Sequence, residues 1–324
     1  AWPPPGFFLP LSMAKKKIPQ IVKDIRAYQP PPIDWDNQKI TSYSQMSMFN
    51  DCPKKWSLQY KEGFKQFTSS IHTVFGTAIH EALQKYLTTM YNESKVKADR
   101  YPIYPFFKTA LLDEYKKQVK INKGIHFCTS KELRDAHEDG VNIIRDFSKN
   151  VTKHFSKRGW WLVGCEIPLS VIPHSDHPEV RYEAYLDVVL YHEHTNSLLI
   201  LDLKTSTWGW KDKEKKNENK QFQLILYKKY FAEKFNFPIE NIEIEFFILK
   251  RKLYESEDFV IKRIQKFRPP SGKIKLKKAT TSLENFVDTC FEGSKFKEVE
   301  HQPTENMYCN WCPFYKTHLC TATF

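Results

Sequence analysis

The stretch that decides the fold is "LLILDLKTSTWGW", residues 198–210. Aliphatic residues lead to Asp202, and one further residue separates it from Lys204. Because alternate residues of a β-strand point to the same face, the carboxylate and the ammonium group project together beside a hydrophobic wall. Burying unpaired charge costs free energy. The two residues therefore either form an ion pair or face a charged ligand, such as a metal ion and a phosphate.

The strand before this stretch supplies a second carboxylate. Residues 180–206 contain two apolar runs around a polar turn, which predicts a β-hairpin. If the turn lies between His194 and Thr195, Asp187 stands opposite Asp202, with their Cα atoms within about 5.5 Å. Like charges in that arrangement repel each other. The hairpin therefore predicts a divalent cation between the two carboxylates.

A metal ion would account for all three charged side chains. Mg²⁺ is commonly held by one or two carboxylates, with water and substrate phosphate completing its shell. Lys204, on the same face, could polarise the phosphate or orient the attacking water. The alternative is a surface hairpin with three solvated charges, which the aliphatic residues on both faces of 198–203 disfavour.

The composition favours a polyanionic partner. The chain has 324 residues, a formal net charge of +12 and a pI near 9.1. A basic excess of that size favours nucleic acid first and an acidic membrane surface second. The hydrophobic content of 41% allows a packed core and argues against global disorder. No apolar run approaches the ~20 residues that span a bilayer.

The two ends of the chain differ from its middle. "AWPPPGFFLPLS", residues 1–12, is interrupted by prolines and lacks the basic segment of a signal peptide. It is predicted to be a vector-derived remnant before a natural start at Met13. Without a secretion signal, the seven cysteines are expected to be thiols or metal ligands rather than disulfides.

The remaining pattern predicts an α/β fold. An extended lead-in, rich in Lys and Pro, is expected over 13–40, followed by a single domain over 41–324. Residues 41–158 are expected to form its helical part. Residues 159–268 are expected to form the α/β core with the catalytic residues, and residues 269–324 its basic, Cys-rich end. Helices are predicted at 74–91, 105–122, 131–157, 221–235 and 280–293, strands at 160–172, 242–253 and 258–268, and a mobile charged loop at 211–220.

Three further segments accompany the hairpin in a fixed order. They are "SYSQMSMFNDCPKKWSLQY" at 42–60, "FGTAIHEAL" at 75–83 and "QFQLILY" at 221–227. Together with the two aspartates and the lysine of the hairpin, they resemble the motifs of the PD-(D/E)XK nuclease superfamily. The match is closest to its RecB-like exonuclease branch, which includes CRISPR-associated and phage enzymes.

The resemblance implies a restriction-endonuclease-like core, a mixed central sheet flanked by helices, with helical N-terminal additions and a Cys-rich C-terminal tail. It implies a catalytic set made of Asp187, Asp202, Lys204, Gln223 and Tyr227. His80 would reach a Mg²⁺ or Mn²⁺ ion held by the two aspartates. Glu166 is a candidate for either a metal or water contact or a core salt bridge. From the residues alone, Tyr227 is also a core candidate and His80 a structural histidine.

The tail "CNWCPFYKTHLC" brings Cys309, Cys312 and Cys320 close together in sequence. C-x-x-C is a chelating spacing for zinc or for iron–sulfur clusters. In the resembling iron–sulfur nucleases the fourth thiolate comes from the N-terminal C-P motif, here Cys52, which implies a [4Fe–4S] cluster. A Zn²⁺ site with His318 in place of one Cys, and free thiols in an aromatic core patch, are the alternatives.

The leading interpretation is a metal-dependent DNA nuclease, an exonuclease acting on DNA ends or single strands in recombination, repair or replication. DNA binding is expected from Lys273, Lys275, Lys277, Lys278, Trp208 and Trp210. The two tryptophans could equally be packing residues. The alternatives are a non-catalytic DNA-binding or architectural recombination protein with the same fold, and an RNA nuclease. The resemblance suggests the cytoplasm of a bacterium or of a phage-infected host, with recombination or replication proteins as candidate partners.

Overall fold

The computed structural model describes residues 17–64, 69–254, 261–320 and 322. The predicted vector-derived segment 1–12 lies outside the described residues, as do residues 258–260 of the last predicted strand. None of the described helices combines the length and the apolar character that crossing a membrane requires.

Helices make up the first half of the described chain and flank the strands of the second half. They are α1 (Gln20–Ala27), α2 (Tyr43–Asp51), α3 (Pro53–Trp56), α4 (Ile71–Asn92), α5 (Lys95–Arg100), α6 (Ile103–Ile121), α7 (Ser130–His154), α8 (Asp212–Lys216), α9 (Glu218–Lys234) and α10 (Lys273–Cys290). A π-helical turn lies at Ser57–Lys61, and 3₁₀ turns lie at Ile239–Asn241 and Met307–Trp311. The helices predicted at 74–91, 105–122, 131–157 and 221–235 are confirmed as α4, α6, α7 and α9.

The strands form a mixed sheet with helices on both sides, as the sequence predicts. They are β1 (Lys39–Thr41), β2 (Trp160–Val171), β3 (Val180–His192), β4 (Ser197–Ser206), β5 (Ile242–Lys250), β6 (Ile264–Phe267), β7 (Phe291–Glu292) and β8 (Lys295–Phe296). Central β3 is antiparallel to β2 and β4 and parallel to β1. β4 is parallel to β5, which is antiparallel to β6. β7 and β8 form a separate ribbon.

The β3–β4 hairpin has the predicted register. Its paired residues run from the turn as far as Val188 and Leu201. The next position of that register brings Asp187 opposite Asp202, and there the pairing of the two strands ends. β4 continues to pair with β5 as far as Ser206. The two strands therefore separate at the carboxylates, which leaves space beside them at the end of the sheet.

Both faces of the sheet are covered. Helices α1, α9 and α10 pack over one face, and α4, α6 and α7 pack over the other. Along β4, Leu198 and Ile200 join the first cluster, whereas Leu199 and Leu201 join the second. A strand that is buried on both faces needs apolar side chains at almost every position. This burial accounts for the continuous apolar run before Asp202.

Three segments differ from the prediction. The lead-in contains α1, an amphipathic helix whose Arg26 donates hydrogen bonds to two carbonyl groups of β2. The charged segment 211–220 contains α8 and the first turn of α9. The last helix begins at Lys273 rather than near residue 280, so the final part of the basic segment is helical. Packing stabilises α1, and ion pairs with Glu218, distant in sequence, stabilise the start of α10. None of the described residues of the short α8 is buried, and the helix carries a local Asp212–Lys215 pair.

Candidate active site

Asp202 and Lys204, the charged residues of the stretch 198–210, lie near the end of β4. The Asp202 side chain is 3% exposed, and its Oδ2 lies 2.9 Å from Nζ of Lys204. The two groups form a buried, charge-assisted pair, and the Asp187 carboxylate also lies close enough to raise the pKa of Lys204. One ammonium group therefore faces two carboxylates.

Asp187 faces the same space from β3. Its Oδ2 accepts a hydrogen bond from the backbone N–H of Leu203 at 2.7 Å, so its side chain takes a place that a β3 backbone carbonyl would hold in a continuous ladder. The alternation along β3 also breaks here, because Leu186 and Val189 both pack into the same cluster. The break turns Asp187 towards β4.

The pKa shifts of the two carboxylates show that holding Asp187 and Asp202 close together is unfavourable. Burial and the neighbouring Asp202 raise the pKa of Asp187 to about 8, against the lowering effects of Lys204 and the Leu203 N–H. Burial raises the pKa of Asp202 as well, and Lys204 opposes that rise. Burial alone would lower the pKa of Lys204, but the two aspartates outweigh it and the pKa is raised. Lys204 is therefore a stable cation next to an under-neutralised acidic pair.

These side chains fit a divalent metal in part. Within the described residues, no group of three or more His, Cys, Asp or Glu side chains is arranged to hold a metal ion. Two buried carboxylates share one ammonium group, and their repulsion raises the pKa of Asp187, so a divalent cation would offset the remaining negative charge. Mg²⁺ needs only one or two protein carboxylates, because water and substrate complete its shell.

His80 comes from α4 on the opposite side of the sheet end. Its Nδ1 lies 3.7 Å from Oδ2 of Asp187. Burial, assisted by the positive charge of Lys204, lowers the pKa of His80 to about 3. The imidazole is therefore neutral, which is the form that binds metals. The close approach of α4 is helped by Gly76, where an added Cβ would already touch Oγ1 of Thr205 at 3.6 Å.

Glu166 is held in an unusual backbone conformation. It lies on β2 across from Asp187, with φ +52° inside a strand. Such left-handed backbone costs free energy for any residue with a Cβ and often marks functional sites. The side chain is exposed and accepts a hydrogen bond at 2.6 Å from Nε2 of Gln84, which also donates to the Asp187 carbonyl at 3.1 Å. Glu166 thus stands beside the acidic pair rather than in a core salt bridge.

Gln223 and Tyr227 share one face of α9, as their spacing predicts. Gln223 Nε2 donates a hydrogen bond to the Tyr227 hydroxyl at 3.1 Å. Tyr227 is only 6% exposed, so it is a core residue whose hydroxyl borders the site. Burial and the nearby Asp202 raise its pKa, which keeps the hydroxyl protonated.

Two residues near the site were missed by sequence reasoning. Gln84 lies one helical turn after His80, and that spacing could have indicated it. Tyr43 begins α2, donates a hydrogen bond to the Asn219 carbonyl at 3.0 Å, and lies close enough for Lys204 and Asp202 to influence its pKa. No local pattern reveals Tyr43, since its neighbours are brought to it by the sheet.

The predicted DNA-binding lysines of α10 fall into two kinds. Lys275 and Lys278 both pair with Glu218 of α9, which lowers the pKa of that carboxyl to about 2. Among the described residues, no carboxylate lies within ion-pair distance of Lys273 or Lys277, and both are exposed. Only the second pair is free to meet a phosphate without breaking an internal contact.

The two predicted tryptophans also differ. Trp210 is half-buried against Phe246 and Phe267, and its backbone N–H donates to the side chain of Gln265. Trp210 therefore packs against the core, and its role as a DNA contact stays a prediction. Trp208 is exposed.

The four predicted cluster cysteines meet in one place. Cys52, Cys309, Cys312 and Cys320 line a single cavity of about 370 Å³ between α2 and the C-terminal tail. All of them are free thiols. His318, the alternative zinc ligand, is not among the described residues that line the cavity. Of the other cysteines, Cys128 and Cys165 are half-buried and Cys290 is buried.

The chain is similar to known nucleases. The sequence model of the PD-(D/E)XK nuclease superfamily matches residues 40–317. Among solved structures, the chain is similar to a "Putative exonuclease" from Eubacterium rectale, at 12% identity and a TM-score of 0.46, over 90% of this chain and 94% of that one. No curated protein matches the chain. The family match spans every strand and helix that contributes to the acidic pair.

Proposed function

Because this chain belongs to the PD-(D/E)XK nuclease superfamily, we propose that it is a metal-dependent DNA nuclease, acting as an exonuclease on DNA ends or single strands. One observation carries the proposal. Asp187, Asp202 and Lys204 converge where β3 and β4 separate, and the two buried carboxylates share the single ammonium group of Lys204.

Asp187 and Asp202 would hold Mg²⁺ or Mn²⁺, and His80 stands close by as a neutral imidazole. The bound ion would supply Lewis-acid stabilisation of the phosphate and activation of water. The two aspartates raise the pKa of Lys204, and its ammonium group would offset the charge that develops on the phosphate or orient the attacking water. The protonated Tyr227 hydroxyl is a further donor at the edge of the site.

A groove with a mixed apolar and polar lining lies near the start of α9. It has a volume of about 690 Å³ and runs between α10, α2 and α9. The amide nitrogens of Asn50 and Asn219 already donate to neighbouring side chains. The exposed Lys277 and Thr281 supply ammonium and hydroxyl donors of the kind that contact phosphate with little sequence preference. We propose that this groove guides DNA towards the acidic pair.

Cleavage of end-labelled linear DNA and of circular DNA tests whether the protein is a nuclease. With Mg²⁺ or Mn²⁺, we expect release of short products from linear DNA only, and no cleavage in EDTA. Lys204→Ala is the control and should lose at least 100-fold in rate, as expected for removal of one transition-state donor. Absence of cleavage with either metal would overturn the function. Cleavage of RNA but not DNA would overturn the substrate.

We further propose that the chain falls within the RecB-like branch and that its four cavity cysteines hold a [4Fe–4S] cluster. The support is the shared cavity, which joins Cys52 near the start of the domain to the three tail cysteines. Binding would have to draw the thiols together, because the described residues hold no ready-made set of three ligands. On the same resemblance we assign the activity to recombination, repair or replication in the cytoplasm of a bacterium or a phage-infected host.

Anaerobic purification with metal analysis tests the cluster. We expect iron, sulfide and the visible absorbance of iron–thiolate charge transfer in the wild-type protein, and their loss in Cys52→Ala. Cys128→Ala is the matched control, because Cys128 is a free thiol that is not among the residues lining the cavity, and it should keep the cluster. Zinc without visible absorbance would overturn the cluster in favour of the zinc alternative.

A further inference from the structure

Two aromatic rings stack on each other at the surface just beyond β4. The ring centroids of Trp208 and Tyr254 are 4.4 Å apart, and the ring planes are inclined by only 18°. Trp208 is 44% exposed and Tyr254 is 54% exposed. Large aromatic side chains gain most free energy when they are buried. This pair instead holds a flat apolar surface open to solvent.

The backbone beneath the pair is tightly braced. The N–H groups of Arg251 and Lys252 donate to the carbonyls of Ser206 and Thr207, both at 2.9 Å, so the pairing of β4 with β5 continues past the strand ends. Gly209 has φ +95°, and a Cβ there would lie 2.9 Å from Oε1 of Gln265. The segment bearing Trp208 is thus fixed by hydrogen bonds on one side and a close approach on the other.

The pair stands at the same end of the sheet as the acidic site. β4 and β5 are parallel, and both rings follow their carboxyl ends. Trp208 comes four residues after Lys204, a distance of at most about 14 Å along extended backbone. A strand whose phosphate lies at Lys204 would have its next bases within reach of the rings.

A lysine lies beside the segment that bears Trp208. The Cε of Lys250 would lie 3.2 Å from a Cβ at Gly209, which puts its side chain directly against this segment. A flat aromatic face with an ammonium group nearby suits a nucleotide, whose base can stack while its phosphate meets the cation.

We propose that Trp208 and Tyr254 form a stacking platform for an unpaired nucleobase of the DNA strand that enters the acidic site. The inference rests on the proposed nuclease function and sharpens its substrate. A base in an intact duplex has both faces occupied by its neighbours, so the platform selects single strands, overhangs and frayed ends. Tyr254, which the sequence did not indicate, stands beside Trp208 in this platform.

Binding without cleavage tests the platform. All proteins carry Lys204→Ala and are held in EDTA, so no cleavage intervenes. The probes are a labelled oligo-dT of about 16 nucleotides and an abasic oligonucleotide of the same length and charge. Fluorescence anisotropy gives the Kd of each. Trp208→Ala and Tyr254→Ala are compared with Trp35→Ala, which removes a tryptophan that is 69% exposed in the lead-in.

We expect Trp208→Ala to weaken oligo-dT binding by about tenfold, the value of one stacked base, with no change for the abasic probe. Trp208→Phe should restore most of the affinity, and Trp35→Ala should bind like the parent. Unchanged oligo-dT binding by Trp208→Ala overturns the platform, and so does an equal loss for both probes. Neither outcome affects the cleavage assay, so failure of the platform and failure of the nuclease function remain distinguishable.

Discussion

At the residue scale, the site is defined by a carboxylate pair that the fold leaves under-neutralised. The Leu203 N–H and Lys204 each satisfy part of it. Burial of both aspartates and their mutual repulsion exceed those contributions, since the pKa of Asp187 is still raised. A cation bound between the two aspartates would offset this repulsion and stabilise the folded protein.

This balance predicts that Asp187→Asn stabilises the metal-free protein. The folded-state pKa of about 8 exceeds the unfolded value, so the folded state keeps its proton longer and wild-type stability falls as pH rises from about 4 to about 8. In EDTA at pH 8 or above, the variant should melt roughly 5 °C higher than the wild type, and the difference should vanish near pH 4. Thermal unfolding followed by circular dichroism across that range measures both.

The matched control is Asp113→Asn, on an exposed position of α6. It should leave the melting temperature unchanged at every pH. A metal-free Asp187→Asn protein that melts at or below the wild-type temperature at pH 8 would mean that the acidic pair is already neutralised by its own neighbours.

Gln84 is predicted to orient the acidic pair through its contacts with Glu166 and the Asp187 carbonyl. Gln84→Met keeps the side-chain volume but removes the donor. Because loss of a group that orients metal ligands typically costs 10- to 100-fold in metal affinity, the Mg²⁺ concentration for half-maximal cleavage should rise by about that factor. A variant that loses activity equally at all Mg²⁺ concentrations would assign Gln84 to folding rather than to ligand orientation.

At the element scale, the sequence predicts the helices and strands that have a periodic apolar pattern. It misses the segments that are stabilised by residues far away in sequence. The stripes of α4, α6 and α7 and the register of the hairpin follow from local pattern. The start of α10 does not, because its first turns are stabilised by Glu218, far away in sequence. The left-handed backbone of Glu166 has no sequence signal at all, since no glycine marks it.

Helix α10 therefore yields a prediction that separates its lysines. Lys277 has no ion-pair partner among the described residues, so Lys277→Ala should weaken duplex binding and reduce the salt slope of log K by about 0.9, one phosphate contact. Lys278→Ala, a matched change one residue on, breaks the pair with Glu218 instead and should leave the slope nearly unchanged. Equal slopes for both variants would contradict the division. The Kd is measured over a series of salt concentrations in EDTA.

At the scale of the whole molecule, the N-terminal and C-terminal segments pack together, which their order in the sequence does not predict. The predicted lead-in and tail lie at opposite ends of the sequence. In the structure α1 and α10 pack over the same face of the sheet, and Asn306 of the tail donates to the Asp51 carbonyl at 3.1 Å. The mixed sheet could be predicted from the resemblance and the alternating pattern. The contacts between the ends could be inferred only through the cysteines.

The acidic pair lies at one end of this two-sided sheet, with the α10 groove and the Trp208–Tyr254 platform as proposed routes for DNA. DNA binding by the groove and the platform is expected without a metal ion. The central claim is that the two carboxylates bind a divalent ion, on which cleavage depends.

Calorimetric titration of Mn²⁺ into the DNA-free protein tests that claim most directly. The wild type should bind one ion or more, and Asp202→Asn, which keeps the shape of the side chain, should lose that binding together with cleavage of linear DNA. Mn²⁺ binding and cleavage by Asp202→Asn at wild-type levels would contradict the account.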